Sequence, residues 1–113
     1  MQKHSLTALA RELLDGARRS AAGRSATTVV GGHEHVMRQT LVALTTGSTL
    51  SDHENPGEAT VYVLSGRVEV TAGEDAWQAR IGDLVEIPPV RHGLRALEDS
   101  AVLLTAVPRA RKG

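Results

Sequence analysis

Two stretches of the chain decide the fold: GSTLSDHENPGEATVYVLSGRVEV, residues 47–70, and GDLVEIPPVRH, residues 82–92. The first contains two Val-rich segments, Thr60–Leu64 and Arg67–Thr71, separated by Ser65-Gly66. Short β-type segments on either side of a Gly-containing pair predict two antiparallel strands joined by a hairpin. We therefore expect a tight β-hairpin in the middle of the chain.

The second stretch predicts one further strand with a clear signal at each end. Gly82-Asp83 is a turn signal, and the apolar segment Leu84–Ile87 follows it. Pro88-Pro89 ends the strand, because proline cannot donate a hydrogen bond to a neighbouring strand. Short strands with turns between them are thus predicted for both stretches.

The same period of two extends outward from these stretches. Five more segments are predicted as strands: Thr27–Val30, Val36–Leu44, Trp77–Ile81, Gly93–Leu97 and Ala101–Val107. Residues 5–19 instead predict a helix, because Ser5 can cap it and apolar residues recur on one face. One helix followed by about eight or nine closely spaced strands predicts an all-β domain, either a sandwich, a jelly roll or a barrel.

The composition excludes several functional classes. Basic and acidic residues both number 13, so the net charge is zero and we expect neither a nucleic-acid nor a membrane partner. There is no cysteine, which excludes disulfides and thiolate metal sites. The first residues lead into a charged amphipathic segment, which is neither a signal peptide nor a membrane span, so we expect a cytoplasmic location.

Together and in this order, the two stretches resemble the paired motifs of the cupin superfamily, in particular those of small single-domain RmlC-like cupins. The first family motif reads His-x-His, Glu and Val-Leu-x-Gly, and the second reads Gly-Asp, an apolar strand, a proline and a His. The resemblance covers roughly residues 40–107. It implies a double-stranded β-helix, the jelly-roll barrel of the family, with one short N-terminal α-helix.

On this basis the chain divides into an N-terminal helix and linker at 1–24, a cupin barrel at 25–108 and a basic C-terminal tail at 109–113. The resemblance also implies a homodimer, since small cupins commonly pair their sheets edge to edge. Pairing of this kind removes exposed strand edges, which otherwise promote aggregation.

The family motif further implies a metal site, which this sequence keeps only in part. In the family, three His and one Glu hold Fe, Mn, Ni, Cu or Zn, with the Glu on an adjacent strand and the last His from across the barrel. His53 and His92 match the first and last His, whereas Asn55 stands at the second His position and Ala59 at the Glu position. Glu58 is one residue early and points away from the cavity unless a bulge shifts it.

Two lost ligands, one of them the only carboxylate, predict that no metal is tightly held. If a divalent transition metal binds at all, the expected ligands are His53 and His92, joined by Asn55 or Glu58. We expect the ligand-binding cavity to be lined by the following residues: His53, Asn55, His92, Gln39 and Ala59. A second His-x-His pair, His33 and His35, lies beside Gly31-Gly32 and is expected in a solvated turn at the barrel rim, although it also has the composition of a metal site.

Three functions remain open at this stage. The first is a cupin that binds a small organic molecule without a tightly held metal. The second is a metal-dependent cupin enzyme, a dioxygenase or isomerase, with His53 and His92 as ligands. The third is a non-catalytic sensing or regulatory module, which would need a partner protein because the chain has no DNA-binding helix pair. Neither the substrate nor the pathway follows from the sequence, because one fold hosts many activities.

Overall fold

The computed structural model describes residues 1–53 and 57–108, with the side chains of Asp52 and His53 outside the described part. In these two ranges, one helix precedes nine strands: α1 Leu6–Arg19, β1 Arg24–Val30, β2 Arg38–Leu44, β3 Thr49–His53, β4 Gly57–Ser65, β5 Arg67–Ala72, β6 Asp75–Arg80, β7 Leu84–Ile87, β8 His92–Ala96 and β9 Ser100–Pro108. The predicted helix is confirmed. The two Val-rich segments form strands β4 and β5, but the predicted hairpin is wrong, because β4 pairs with β7 and β9 in one sheet and β5 with β6 and β8 in the other.

The strands form two antiparallel sheets that enclose one core. The larger sheet has the order β1-β2-β9-β4-β7, and the smaller has the order β3-β8-β5-β6. Apart from the consecutive pairs β1–β2 and β5–β6, strands that are neighbours in these sheets are distant in the chain, as expected for a jelly roll. The all-β barrel with one short helix is therefore confirmed.

The core is aliphatic, as a chain without phenylalanine requires. It consists of short branched and small side chains from both sheets: Val42, Leu44, Val61, Val63, Val68, Val70, Ala79, Ile87, Leu94, Ala96 and Val102. On β4, Val61 and Val63 are buried whereas Glu58 and Tyr62 are exposed. This strand therefore has one face in the barrel and one face outside it.

Strand β3 was not predicted. Its sequence, Thr-Leu-Ser-Asp-His, has a single aliphatic residue and no alternation of apolar and polar residues. The strand forms because its backbone pairs with β8, so that Thr49 lies opposite Arg95 and Leu50 opposite Leu94. Backbone pairing with a strand far along the chain thus supplies what the local pattern lacks.

The helix covers the outer face of β1 and β2. Ser5 caps it, with its Oγ accepting a hydrogen bond of 3.3 Å from the Ala8 amide. Its apolar side ends at Ala17, which is fully buried. On β2, Leu41 and Ala43 are fully buried on the face opposite the barrel core. Both faces of β2 are therefore buried, one by the helix and one by the core.

Asp99 connects three parts of the chain. One carboxylate oxygen accepts hydrogen bonds from the amide and the hydroxyl of Thr46, at 2.9 and 3.1 Å. The other accepts from the Arg18 guanidinium at 3.2 and 3.3 Å. The bonds from Thr46, and then Arg18, hold the pKa of Asp99 below its usual value. The carboxylate thus ties the end of α1 and the β2–β3 turn to the β8–β9 turn.

Within the described chain, each sheet ends in edge strands that have a sheet partner on one side only, β1 and β7 in one sheet and β3 and β6 in the other. Exposed apolar side chains accompany these edges, including Trp77 at 67% and Leu84 at 61% exposure. The predicted homodimer would cover such edges and stays a prediction. Within the described residues, no helix is both long enough and apolar enough to span a membrane.

Candidate functional site

A cavity of about 180 Å³ lies between the two sheets at one end of the barrel. Its wall consists mainly of aliphatic residues, with a few polar ones, from both sheets: Arg38, Thr40, Leu50, Ala59, Thr60, Val61, Val70, Ile87, His92, Gly93, Leu94, Leu104, Thr105 and Ala106. A concave, mostly apolar space with a few polar groups is the usual form of a small-molecule site.

His92 begins β8 and contributes its ring to this wall. It alternates with Leu94 and Ala96, which are buried in the core, so it lies on the inner face of the sheet. Its Nδ1 lies 3.2 Å from the backbone carbonyl oxygen of Val90. A carbonyl can only accept a hydrogen bond, so Nδ1 donates, and in the neutral ring Nε2 carries the lone pair. The contact with Val90 therefore orients the imidazole.

The backbone of His53 is paired directly with that of His92 across β3 and β8. The register shifts by one residue between Leu50 and His53, and this irregularity makes His53, rather than Asp52, the partner of His92. The expectation that the last His comes from across the barrel is wrong for this chain, because β8 is the neighbour of β3 in the same sheet. The side chain of His53 lies outside the described part.

Ala59 lines the cavity from the opposite sheet, on β4. The Glu position of the family motif is therefore across the barrel from His92, not on a strand adjacent to β3 as predicted. Glu58 is exposed and is not among the lining residues. The register of β4 with β9 is regular from Gly57 to Val63, so no bulge in this segment turns Glu58 inward.

Gln39 was predicted to line the cavity, but the residues on either side of it, Arg38 and Thr40, do so instead. Gln39 is half-buried, and its side-chain amide donates a 3.1 Å hydrogen bond to the Thr105 hydroxyl. Alternation could not decide between the two faces of β2, because apolar residues occupy both of them near Leu44. The sequence pattern therefore did not identify Arg38 and Thr40 as cavity residues.

The remaining predicted site residues lie elsewhere. His33 and His35 are exposed in the turn between β1 and β2, where the amide of His35 donates to the Gly32 carbonyl at 3.1 Å. Neither lines the cavity. Asn55 lies outside the described residues.

The described side chains do not make up the metal site of the family. Among them, no three His, Asp or Glu residues lie close enough together to hold an ion. Ala59 presents a methyl group where the family motif has its carboxylate. A methyl group can neither ligate a divalent cation nor offset its charge. The family's four-ligand set therefore does not fit this chain.

A second cavity, of about 340 Å³, lies between the edge strands β6 and β7, where the two sheets separate. Trp77, the only tryptophan of the chain, lines it together with Asp75 and Glu86. Val70 and Ile87 line both cavities, so the two spaces are neighbours. The sequence signal for this second cavity was the single Trp on a predicted strand. The sequence could not show that β6 and β7 are edge strands with a gap between them.

Comparison with known proteins agrees with this architecture. The family model described as the cupin domain matches residues 40–108, more than half of the chain. A conserved protein of unknown function from Streptococcus pyogenes is similar in structure, with a TM-score of 0.73 and 26% identity, over 81% of this chain and 80% of that one.

Two further solved structures share the fold. KdgF from Halomonas sp. has a TM-score of 0.65 and 24% identity, over 77% of this chain and 82% of that one. An RmlC-like cupin from Shewanella frigidimarina has a TM-score of 0.69 and 20% identity, over 80% and 81%. No curated protein matches the sequence significantly.

Proposed function

The chain belongs to the cupin family, and from that premise we propose that it binds a small organic molecule inside the barrel without a tightly held metal ion. The observation that carries the proposal is the cavity of about 180 Å³ whose wall is aliphatic apart from a few polar groups. It is smaller than the ~300–1,000 Å³ typical of sites for drug-sized ligands, so the ligand is small.

The chemistry of the wall supports the second half of the proposal. Of the wall residues that the structure describes, His92 alone could bind a transition metal through nitrogen, and Ala59 removes the carboxylate that the family motif supplies. A single imidazole is a poor site for a dication, since affinity grows with the number and charge of the ligands.

Filling the cavity tests the binding proposal. We expect Ala59→Leu to abolish binding of fragments that the unaltered protein takes up, because the larger side chain occupies the space beside His92. Ligand-observed NMR with a library of small fragments measures this, and amide shifts at Gly93 and Ala106 locate the bound fragment. The matched control is Ala76→Leu, since Ala76 is exposed on β6 and lines neither cavity. Unchanged binding in Ala59→Leu would contradict the proposal.

A metal-dependent cupin enzyme is the second candidate, and one observation favours it: the register that pairs the backbones of His53 and His92. Metal analysis of untagged protein, after dialysis against a chelator, separates the two candidates. We expect well below one equivalent of iron, manganese, copper, nickel or zinc per chain. A stoichiometric metal that survives the chelator would instead make the enzyme the better proposal.

A further inference from the structure

Among the described residues that line the first cavity, Arg38 is the only one with a permanent charge. Within the described residues no Asp or Glu lines this space, so nothing there offsets the guanidinium. Arg38 alternates along β2 with Val42 and Leu44 of the core, which places it on the inner face, at the outer end of the strand. A cationic side chain thus stands at the mouth of an apolar space.

The aliphatic part of the Arg38 side chain lies beside the backbone of Gly31, and no described carboxylate pairs with its guanidinium. The Arg38 stem lies beside Gly31, where an added Cβ would be in van der Waals contact with it, 3.5 Å from Cγ and 3.7 Å from Nε. Three other arginines in the described chain have carboxylate partners: Arg18 pairs with Asp99, Arg67 with Glu98 and Arg95 with Glu69. Arg38 forms no such ion pair with any described residue. Its five N–H donors are therefore available to an anion.

Two further polar side chains line the same wall, one on β2 and one on β8. Thr40 follows Arg38 on the inner face of β2 and offers a hydroxyl, and His92 offers its ring from the other sheet. Deeper in, the wall is formed by aliphatic side chains such as Leu50, Val70 and Leu104. The cavity is thus polar and cationic on one side and apolar on the other.

From this arrangement, and resting on the proposed function, we infer that the ligand is a small organic carboxylate. Its carboxylate pairs with the Arg38 guanidinium, and its apolar body fills the barrel. The planar fork of arginine matches a carboxylate through two parallel hydrogen bonds. A volume of about 180 Å³ equals roughly six water molecules at ~30 Å³ each, which limits the body to a short aliphatic chain or a single ring.

The test compares acids with their uncharged amides of the same shape. Benzoate with benzamide, and hexanoate with hexanamide, are titrated into the protein while backbone amide shifts of Gly93, Leu94 and Ala106 are followed by NMR. We expect each acid to bind at least about tenfold more tightly than its amide. Arg38→Met, which keeps the stem and loses the charge, removes this preference, and Arg38→Lys keeps part of it because a lysine lacks the fork.

The control is Arg80→Met, because Arg80 is exposed on β6 and does not line this cavity. It should keep the full preference for acids. If acids and amides bind equally in the cavity and Arg38→Met changes nothing, the carboxylate inference is wrong while the small-molecule function stands. If Arg80→Met lowers acid binding as much as Arg38→Met does, the anion is held by general surface charge and the inference is wrong. If no acid or amide shifts the cavity amides at millimolar concentration, the proposed function itself fails.

Discussion

Replacing Gly66 by alanine is expected to destabilise the barrel by about 3 kcal/mol or more, a large part of the total stability of a small domain. Gly66 lies in the β4–β5 turn, where the chain passes from one sheet to the other, with a φ of 79°, a conformation that residues with a Cβ rarely adopt. An added Cβ would also collide with the Asp99 carbonyl oxygen and the Ser100 hydroxyl, and it would lie 2.8 Å from Ser100 Cα. A side chain at position 66 is therefore unfavourable for two reasons, the positive φ of the backbone and the close contact with Asp99 and Ser100.

The neighbours of Gly66 cannot move aside at low cost. Ser100 is fully buried, and its Oγ accepts from the Arg67 amide at 3.0 Å and donates to a backbone carbonyl, that of Glu98 at 2.7 Å or Arg67 at 3.1 Å. Any shift of Ser100 breaks these hydrogen bonds in a place where water cannot replace them. The collision is thus added to the conformational strain.

Gly82→Ala is the matched control for this experiment. Gly82 has a similar φ of 87°, but an added Cβ there would meet no atom within 4 Å. Only the conformational strain remains, so the expected cost is about 1 kcal/mol. Urea denaturation followed by circular dichroism measures both variants. Equal destabilisation by the two substitutions would show that close packing at Gly66 contributes nothing.

Introducing a carboxylate into the cavity is expected to create a metal site. Ala59→Glu returns the ligand that the family motif has at this position, on the strand facing His92. We expect the affinity for zinc or manganese to rise by at least about a hundredfold, since even disturbing a partner of a ligand changes metal affinity ~10–100-fold. Isothermal titration of chelator-treated, untagged protein measures the change directly.

The same variant should also show the cost of a carboxylate in an apolar cavity. Without metal, we expect Ala59→Glu to melt at a lower temperature than the parent protein, because the loss of hydration of a carboxylate in a mostly aliphatic cavity outweighs the compensation that Arg38 offers. Added metal should raise the melting temperature of the variant, because an ion that binds the folded state and not the unfolded state stabilises the protein. The melting temperature of the parent should stay nearly unchanged, because the parent binds the ion weakly.

Two controls separate metal ligation from general effects of the substitution. Ala59→Gln has the same shape without the charge and should gain little affinity. His92→Ala in the Ala59→Glu background should remove most of the gain, because the imidazole and the carboxylate bind the same ion. If the double variant binds metal as tightly as Ala59→Glu alone, His92 is not part of the site.

The family relationship and the proposed chemistry rest on different observations. The match over residues 40–108 and the solved relatives show the barrel. The proposed ligand instead follows from residues of this chain, Arg38 and Ala59 above all, which stand on the wall of one cavity. A shared barrel does not carry a shared substrate, because the residues inside it are free to differ.

Local sequence determined those elements in which one physical signal dominates. The helix was predictable because Ser5 caps it and its apolar residues recur on one side. The strands β4 and β5 and the turn between them were predictable because Ser65-Gly66 interrupts two segments that alternate between core and solvent. That this turn joins two different sheets, and not the two strands of a hairpin, did not follow from the local pattern. The outward position of Glu58 followed from the same alternation and is what the structure shows.

Tertiary structure alone decided how the cavity is lined. On β2 the helix buries one face and the core the other, so alternation could not distinguish Gln39 from Arg38. The sequence of β3 has no apolar pattern. Its position beside β8 depends on backbone hydrogen bonds between distant segments, and so does the one-residue shift that pairs His53 with His92. Such pairing depends on the whole sheet rather than on neighbours in the chain, which is why the motif identified His92 but not the side of the barrel on which it lies.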